Sequence, residues 1–153
     1  MRIVLPETPE QWDQVRGLFS EYWASFDLSP CFQNFAVELA GLPGDYAPPR
    51  GSLALAMVDG EPAGCAAIRP FDAGRGEFKR LFVRPAFRGR GVGRGLMEWV
   101  IDEARRLGYS ELVADTLPQM TEALAMYDRA GFERTEAYAA TPTPGAIYLR
   151  FTL

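Results

Sequence analysis

The sequence predicts a mixed α+β fold in three layers, α/β/α, with a central, mostly antiparallel sheet flanked by helices. Three observations point there. Between Ser52 and Val83, strand-like apolar segments follow one another through short turns, which is an antiparallel meander. One strand, helix, strand crossover follows, from Glu77 to Thr116, and a closing pair of strands ends the chain. Helical periodicity flanks the meander on both sides. At 153 residues the chain is expected to form a single domain over 1–153, large enough to bury a core without staples.

In chain order, Arg2 to Leu5 reads as an edge strand stopped by Pro6. Thr8 caps a helix whose first turn holds Pro9 and Glu10, a proline and an acid where the helix start favours both. Trp12, Val15, Leu18, Phe19, Tyr22 and Trp23 then recur at helical spacing to about Ser25, a stripe expected to pack in the core. Asp27 to Pro30 reads as a turn, and Phe32, Phe35, Ala36, Leu39 and Ala40 as a second, shorter helix. Gly41 to Gly51, with three prolines and three glycines, reads as an irregular loop of the kind that contacts substrate.

Ser52–Val58 and Pro62–Arg69 read as strands joined through Asp59-Gly60, a strong hairpin signal. A turn over Phe71 to Gly76 leads into a strand over Glu77 to Val83, which Pro85 ends. After Gly93, apolar residues at Leu96, Met97, Val100, Ile101, Ala104 and Leu107 mark a helix, with Gly108 at its C′ position. Leu112 to Thr116 is the next strand, and Thr121 to Ala130 a helix ended by Gly131. Arg134–Tyr138 and Ala146–Phe151 close the sheet around Pro142 and Pro144.

The junction of the Glu77 strand and the helix after it carries the chemistry. Gly89, Gly91 and Gly93 alternate at the mouth of a helix, where backbone N–H groups converge without Cβ clashes and the helix dipole adds positive charge. That is an anion cradle suited to phosphate. It is neither G-x-G-x-x-G nor a Walker loop, because Leu96 stands where a third glycine belongs and no G-K-[ST] occurs. Residues 75–94 hold seven basic side chains against one acid, Glu77, a charge of +6; the remaining nine basic and nineteen acidic residues make −10. Such asymmetry points to an anionic ligand here and a cationic one elsewhere.

Composition excludes much else. The chain has no histidine, which removes the usual general base, the commonest zinc ligand and every histidine-based triad. Two cysteines, Cys31 and Cys65, make neither a disulfide framework nor a metal site, and Cys65 among small apolar residues reads as core. Net charge −4 argues against nucleic acid as a partner. The N-terminus lacks a signal-peptide core and no apolar run is of bilayer length, so the expected location is cytoplasmic, without membrane contact, as monomer or homodimer.

Arg88-x-x-Gly91-x-Gly93, after a strand closed by Val83-x-Pro85, resembles the acetyl-CoA signature of the GCN5-related N-acetyltransferases, the GNAT family. Ala125 to Phe132 is similar to that family's second signature, a tyrosine four residues before Gly-Phe. The resemblance runs from about Ser52 to the C-terminus and implies a GNAT-type sheet and transfer of acetyl from acetyl-CoA to a primary amine by direct attack in a ternary complex, without metal. A non-catalytic acyl-CoA sensor on the same fold is the alternative. The resemblance further implies that Arg88, Gly89, Arg90, Gly91, Val92, Gly93 and Arg94 hold the pyrophosphate and that the backbone of Leu81, Phe82 and Val83 pairs with pantetheine. By the same resemblance Tyr127 is the general acid, and Glu77, six residues before Val83, stands where some members carry a base. The alternative for Glu77 is an ion pair with Lys79 or Arg80. Met120 departs from the pattern, since the family often has an asparagine there that touches the pantetheine arm. The acidic remainder favours a cationic amine acceptor, with Glu38, Asp45, Asp115 and Tyr138 as candidate lining. Protein N-termini, lysine side chains, amino acids, polyamines and aminoglycosides all stay open.

Overall fold

The structure, a computed structural model, describes residues 1–26, 34–138 and 144–153. The chain runs β1 (Arg2–Val4), α1 (Pro9–Ala24), α2 (Phe35–Ala40), β2 (Ser52–Val58), β3 (Glu61–Pro70), β4 (Arg75–Val83), α3 (Val92–Arg106), β5 (Glu111–Thr116), α4 (Thr121–Ala130), β6 (Glu133–Thr135) and β7 (Ile147–Thr152). The strands make one sheet in the order β1-β2-β3-β4-β5-β7-β6, in which only β4 and β5 are parallel. The expected α+β architecture is therefore present, with β7 inserted between β5 and β6.

Local chemistry explains most boundaries. The Thr8 side chain accepts from the Gln11 backbone while the Gln11 side chain accepts from the Thr8 backbone, a capping box that starts α1. Asp59 and Gly60 both take positive φ, +52° and +78°, the pair a two-residue I′ hairpin requires between β2 and β3. Other boundaries moved. β4 begins at Arg75, two residues early, because Arg75 and Gly76 already pair with Glu111 and Leu112 of β5. The expected strand to Tyr138 shrinks to Glu133–Thr135, the part that finds partners on β7. Within the expected irregular loop, Gly44–Tyr46 makes a 3-10 turn. The predicted turn at 27–30, and Cys31, Phe32 and Pro142, lie outside the described residues.

Two cores sit on the two faces of the sheet. Phe78, Leu96, Val100, Leu112 and Leu149 belong to the one under α3 and α4. Val15, Leu18, Phe19, Leu55 and Cys65 belong to the other, under α1 and α2. Cys65 is fully buried, and its Sγ donates to the Arg80 carbonyl at 3.4 Å, so it is a core residue as expected. No helix among the described residues is long and apolar enough to cross a membrane.

The sheet is interrupted at its centre. Cys65 faces Phe82 while Ala67 faces Lys79, so two steps along β3 match three along β4. The extra residue is a β-bulge, and Arg80 sits there at φ +61°. On its other side β4 pairs with β5 only from Arg75 to Glu77; beyond that the two parallel strands separate.

Helix α1 should be held by burial more than by its cap. Phe19→Ala removes a fully buried ring and is expected to cost about 3–5 kcal/mol. Thr8→Ala loses one cap and is expected to cost about 1 kcal/mol. Urea melts of the two variants check the ranking; equal losses would show that α1 owes little to its apolar face.

Candidate active site

The separation of β4 from β5 leaves an edge of β4, Phe78 to Val83, without a strand partner on that side. Main-chain groups on that side have no strand to pair with, although the Val83 carbonyl accepts from Arg88 Nε. Two openings flank this edge, one at each end.

The first is a groove of about 820 Å3 over the glycine turn, walled by Val83, Arg88, the start of α3 and Met126 of α4. Gly91 is the N-cap of α3 at φ +82°, and an added Cβ at Gly89 or Gly91 would meet nothing within 4 Å. The turn therefore borders open space rather than packed protein. The first intrahelical bond runs from Gly95 N to Gly91 O, and the N–H groups ahead of it are the ones a helix start leaves for an anion. Gly93 differs. A Cβ there would lie 2.5 Å from the Met126 sulfur, so this glycine serves the approach of α4 to α3.

The arginines around the groove are not idle. Arg88 donates from Nε to the Val83 carbonyl at 3.1 Å and pairs with Glu122 of α4 at 3.1 Å. Arg94 pairs with Glu98 at 3.1 Å, and Arg90 lies 4.0 Å from Asp59. These ion pairs are largely exposed and worth little each, so exchanging a carboxylate for a phosphate costs little.

The second opening is a narrow cleft where β4 and β5 diverge. Its walls include Tyr22, Lys79, Arg80, Asp115, Thr116 and Tyr127. Tyr127 is buried against Phe78 and Phe132, with ring centroids 5.3 and 5.0 Å away. Burial above all, with the Tyr22, Asp115 and Glu77 charges behind it, pushes its phenol well above the ordinary value. At neutral pH the proton stays on.

Glu77 lies elsewhere. Its carboxylate accepts from Arg69 Nε at 2.7 Å and from the Tyr138 hydroxyl at 2.8 Å, outside the walls of the Tyr127 cleft. Arg69 is its cross-strand neighbour on β3, so the expected partner, Lys79 or Arg80, is replaced by the residue opposite. Of the candidate acceptor residues, Asp115 lines the cleft, Glu38 stands behind Arg80, Tyr138 holds Glu77, and Asp45 is exposed. Met120 lines the cleft as well, and its sulfur accepts from the Tyr22 hydroxyl at 3.8 Å.

Lys79 and Arg80 were not singled out for the site, although two successive bases inside an apolar strand break the period-2 pattern and so mark the bulge. Arg80 is buried, donating from Nε and Nη2 to the two oxygens of Glu38 at 2.8 Å each, while its guanidinium lies over Trp23 and Phe35. Lys79 is buried too and reaches Asp115 at 3.2 Å. Desolvation lowers the Lys79 ammonium below its ordinary value, against the pull of Asp115. No group of three or more metal-ligating side chains occurs among the described residues.

The Acetyltransferase (GNAT) family model matches residues 12–132. An uncharacterized N-acetyltransferase of Schizosaccharomyces pombe is 37% identical over 147 residues, covering 95% of this chain and 90% of the relative. The crystal structure of an acetyltransferase from Streptococcus agalactiae superposes with a TM-score of 0.82 at 21% identity over 99% of this chain and 98% of that one, a likeness of fold. A GNAT family acetyltransferase from Elizabethkingia anophelis, solved with acetyl-CoA bound, is 29% identical with a TM-score of 0.58 over 68% of this chain and 77% of that one.

The Glu38–Arg80 pair has a pH signature. Burial opposes ionisation of Glu38, but the Arg80 hydrogen bonds and charge outweigh it and hold the carboxyl below its ordinary 4.5. A depressed folded value means stability fully present above the unfolded value and lost as pH falls through the folded one. Stability measured by urea melts should therefore fall on acidification below about pH 4.5, and less steeply in Glu38→Gln. That variant should also be less stable near pH 7, by about 3–5 kcal/mol at most, because Arg80 is left buried without its counter-charge. Parallel pH profiles would show that the pair carries no such linkage.

Proposed function

As the chain belongs to the GNAT family of acetyltransferases, we propose that it moves the acetyl group of acetyl-CoA to a primary amine of a small molecule or peptide, by direct attack in a ternary complex. The family assignment makes it an acyltransferase. The observation that carries the finer reading is the unpaired edge of β4, which runs from the Tyr127 cleft to the glycine groove. A single domain suffices, since both openings are built on one sheet.

Bound acetyl-CoA supplies the acetyl group as a thioester, already activated toward an amine. The chain's residues bind and orient. The backbone of Gly89, Gly91, Val92 and Gly93 receives the diphosphate at the α3 start, with Arg88, Arg90 and Arg94 adding charge at the rim. Leu81, Phe82 and Val83 offer main-chain groups to the amides of the arm, and Arg88 braces the end of that strand through the Val83 carbonyl. Tyr127 keeps its proton at neutral pH and gives it to the departing sulfur. Glu77 takes the proton from the amine through a water, held in place by Arg69 and Tyr138.

Acetyl-CoA should stabilise the fold by mass action, by about 2.7 kcal/mol at one hundred times Kd, and so raise the melting temperature. Gly91→Val should abolish the shift, because valine at φ +82° strains the turn and its side chain enters the groove. Calorimetry that finds no binding to the native chain would remove the reading.

Tyr127→Phe keeps the packing and loses the proton, so kcat should fall about 10²–10⁴-fold with acetyl-CoA affinity little changed. Glu77→Gln should lower kcat/KM at neutral pH and recover as pH nears the amine's own pKa, where solvent deprotonates the acceptor. Unchanged turnover in Tyr127→Phe would make that ring a packing residue, and a Glu77→Gln profile superposed on the native one would leave Glu77 as a strut for Arg69.

A further inference from the structure

Every carboxylate of the acceptor face already has a cation. Glu38 is paired with Arg80, Glu77 with Arg69 and Asp115 with Lys79. Of the acidic residues that suggested a cationic acceptor, Glu38 and Asp115 are thus neutralised inside the protein, and Asp45 is exposed. What the cleft has in surplus is donors.

Four side chains of the cleft wall carry that surplus. Arg80 has five N–H donors, of which Nε and Nη2 go to Glu38, and it also hydrogen-bonds Tyr22. Lys79 has three N–H donors and one carboxylate, Asp115. Thr116 Oγ1 is buried without a hydrogen-bond partner. Tyr22 donates only to a thioether, a weak acceptor, in Met120. Buried polar groups without partners are costly, and Lys79, Arg80 and the hydroxyls of Thr116 and Tyr22 can all donate to one carboxylate.

The backbone places these groups together on purpose of geometry. Successive residues of a regular strand point to opposite faces. The bulge, with Arg80 in the left-handed region, breaks that alternation and brings Lys79 and Arg80 into the wall of one cleft. A left-handed non-glycine residue costs of order 1–3 kcal/mol and persists where the surroundings impose it, which is where binding sites are found.

We infer that the acceptor amine also bears a carboxylate, and that Lys79, Arg80 and Thr116 bind this carboxylate in the cleft between β4 and β5 while Tyr127 faces the reacting end. The inference rests on the transferase reading above and narrows its acceptor to amines of the amino-acid type. A carboxylate brings two acceptor oxygens to four under-used donors, and it gives the two cations a second counter-charge. The amine end remains cationic in solution, as any alkylamine is, until it loses its proton for attack.

The test is calorimetry on the CoA-loaded protein with the common α-amino acids, each matched to its own carboxamide. At least one acid should bind about ten-fold or more tightly than its carboxamide, the value of one charge-assisted hydrogen bond. Lys79→Gln, which keeps a hydrogen bond for Asp115, should lose that preference; if it fails to fold, the matched pairs on the native chain decide alone. Equal binding of acid and carboxamide, or no binding by any acid, overturns the inference. If amines without a carboxylate are acetylated at the same time, the transferase reading survives its loss. Failure of acetyl-CoA to bind in the same instrument would instead remove the transferase reading and the inference with it.

Discussion

The bidentate pair between Arg80 and Glu38 is the contact on which the working parts of this molecule depend. Arg80 occupies a bulge in the middle of the sheet, at a backbone conformation a non-glycine residue adopts at a cost. Its guanidinium is buried against the stacked rings of Trp23 and Phe35, 4.3 Å apart, and is neutralised by a carboxylate from α2. One side chain therefore ties α1, α2 and β4 together. It also stabilises the kink in β4 beside which β4 and β5 part. A buried pair of this kind is weak evidence of net stability, since hydrophobic residues of equal volume often do as well.

From that divergence the division of labour follows. The edge of β4 that loses β5 stays paired to β3 at Phe78, Lys79, Phe82 and Val83, on either side of the Arg80 bulge, while its other side lacks a strand partner. The face under α3 and α4 leads to the glycine groove; the face under α1 and α2 carries the Arg80–Glu38 pair. Tyr127 sits where the two meet, on a helix that packs by Phe132 and Phe78 into the first core. Its position is thus set by packing, and its protonation by the burial that packing brings.

Most of the architecture was legible because it follows local rules. The capping box, the Asp59-Gly60 hairpin, the helix over Val92–Arg106 and the glycine turn each rest on residues close in sequence. What was not legible depends on strand neighbours. The partner of Glu77 is Arg69, eight residues back but directly opposite across the β3–β4 ladder, and only the register reveals it. The start of β4 at Arg75 depends on Glu111 in the same way. Gly93 belongs to a pattern that suggests a phosphate turn, yet its missing Cβ is explained by Met126 on another helix. The Lys79-Arg80 pair did leave a trace, as two bases where alternation permits one, and a bulge is the physical meaning of that trace.

The basic segment from Arg75 to Arg94 looks like one patch in sequence and is three devices in space. Arg75 closes its own turn through Asp72, and Arg84 fastens the end of β4 to α1 through Glu21 and to the Pro62 carbonyl. Lys79 and Arg80 are buried in the cleft between β4 and β5, Arg88 and Arg94 line the groove, and Arg90 lies near Asp59. The acids that balance them come from the rest of the chain, Glu21, Glu38, Asp115 and Glu122, so the +6 and −10 halves of the sequence interleave on folding. Charge asymmetry along a chain therefore does not by itself assign a sign to a ligand. The buried pairs are costly to break, whereas the exposed pairs at the groove contribute little each. The same count that suggested two ligands of opposite charge is, in the folded protein, mainly the record of how its helices are bolted to its sheet.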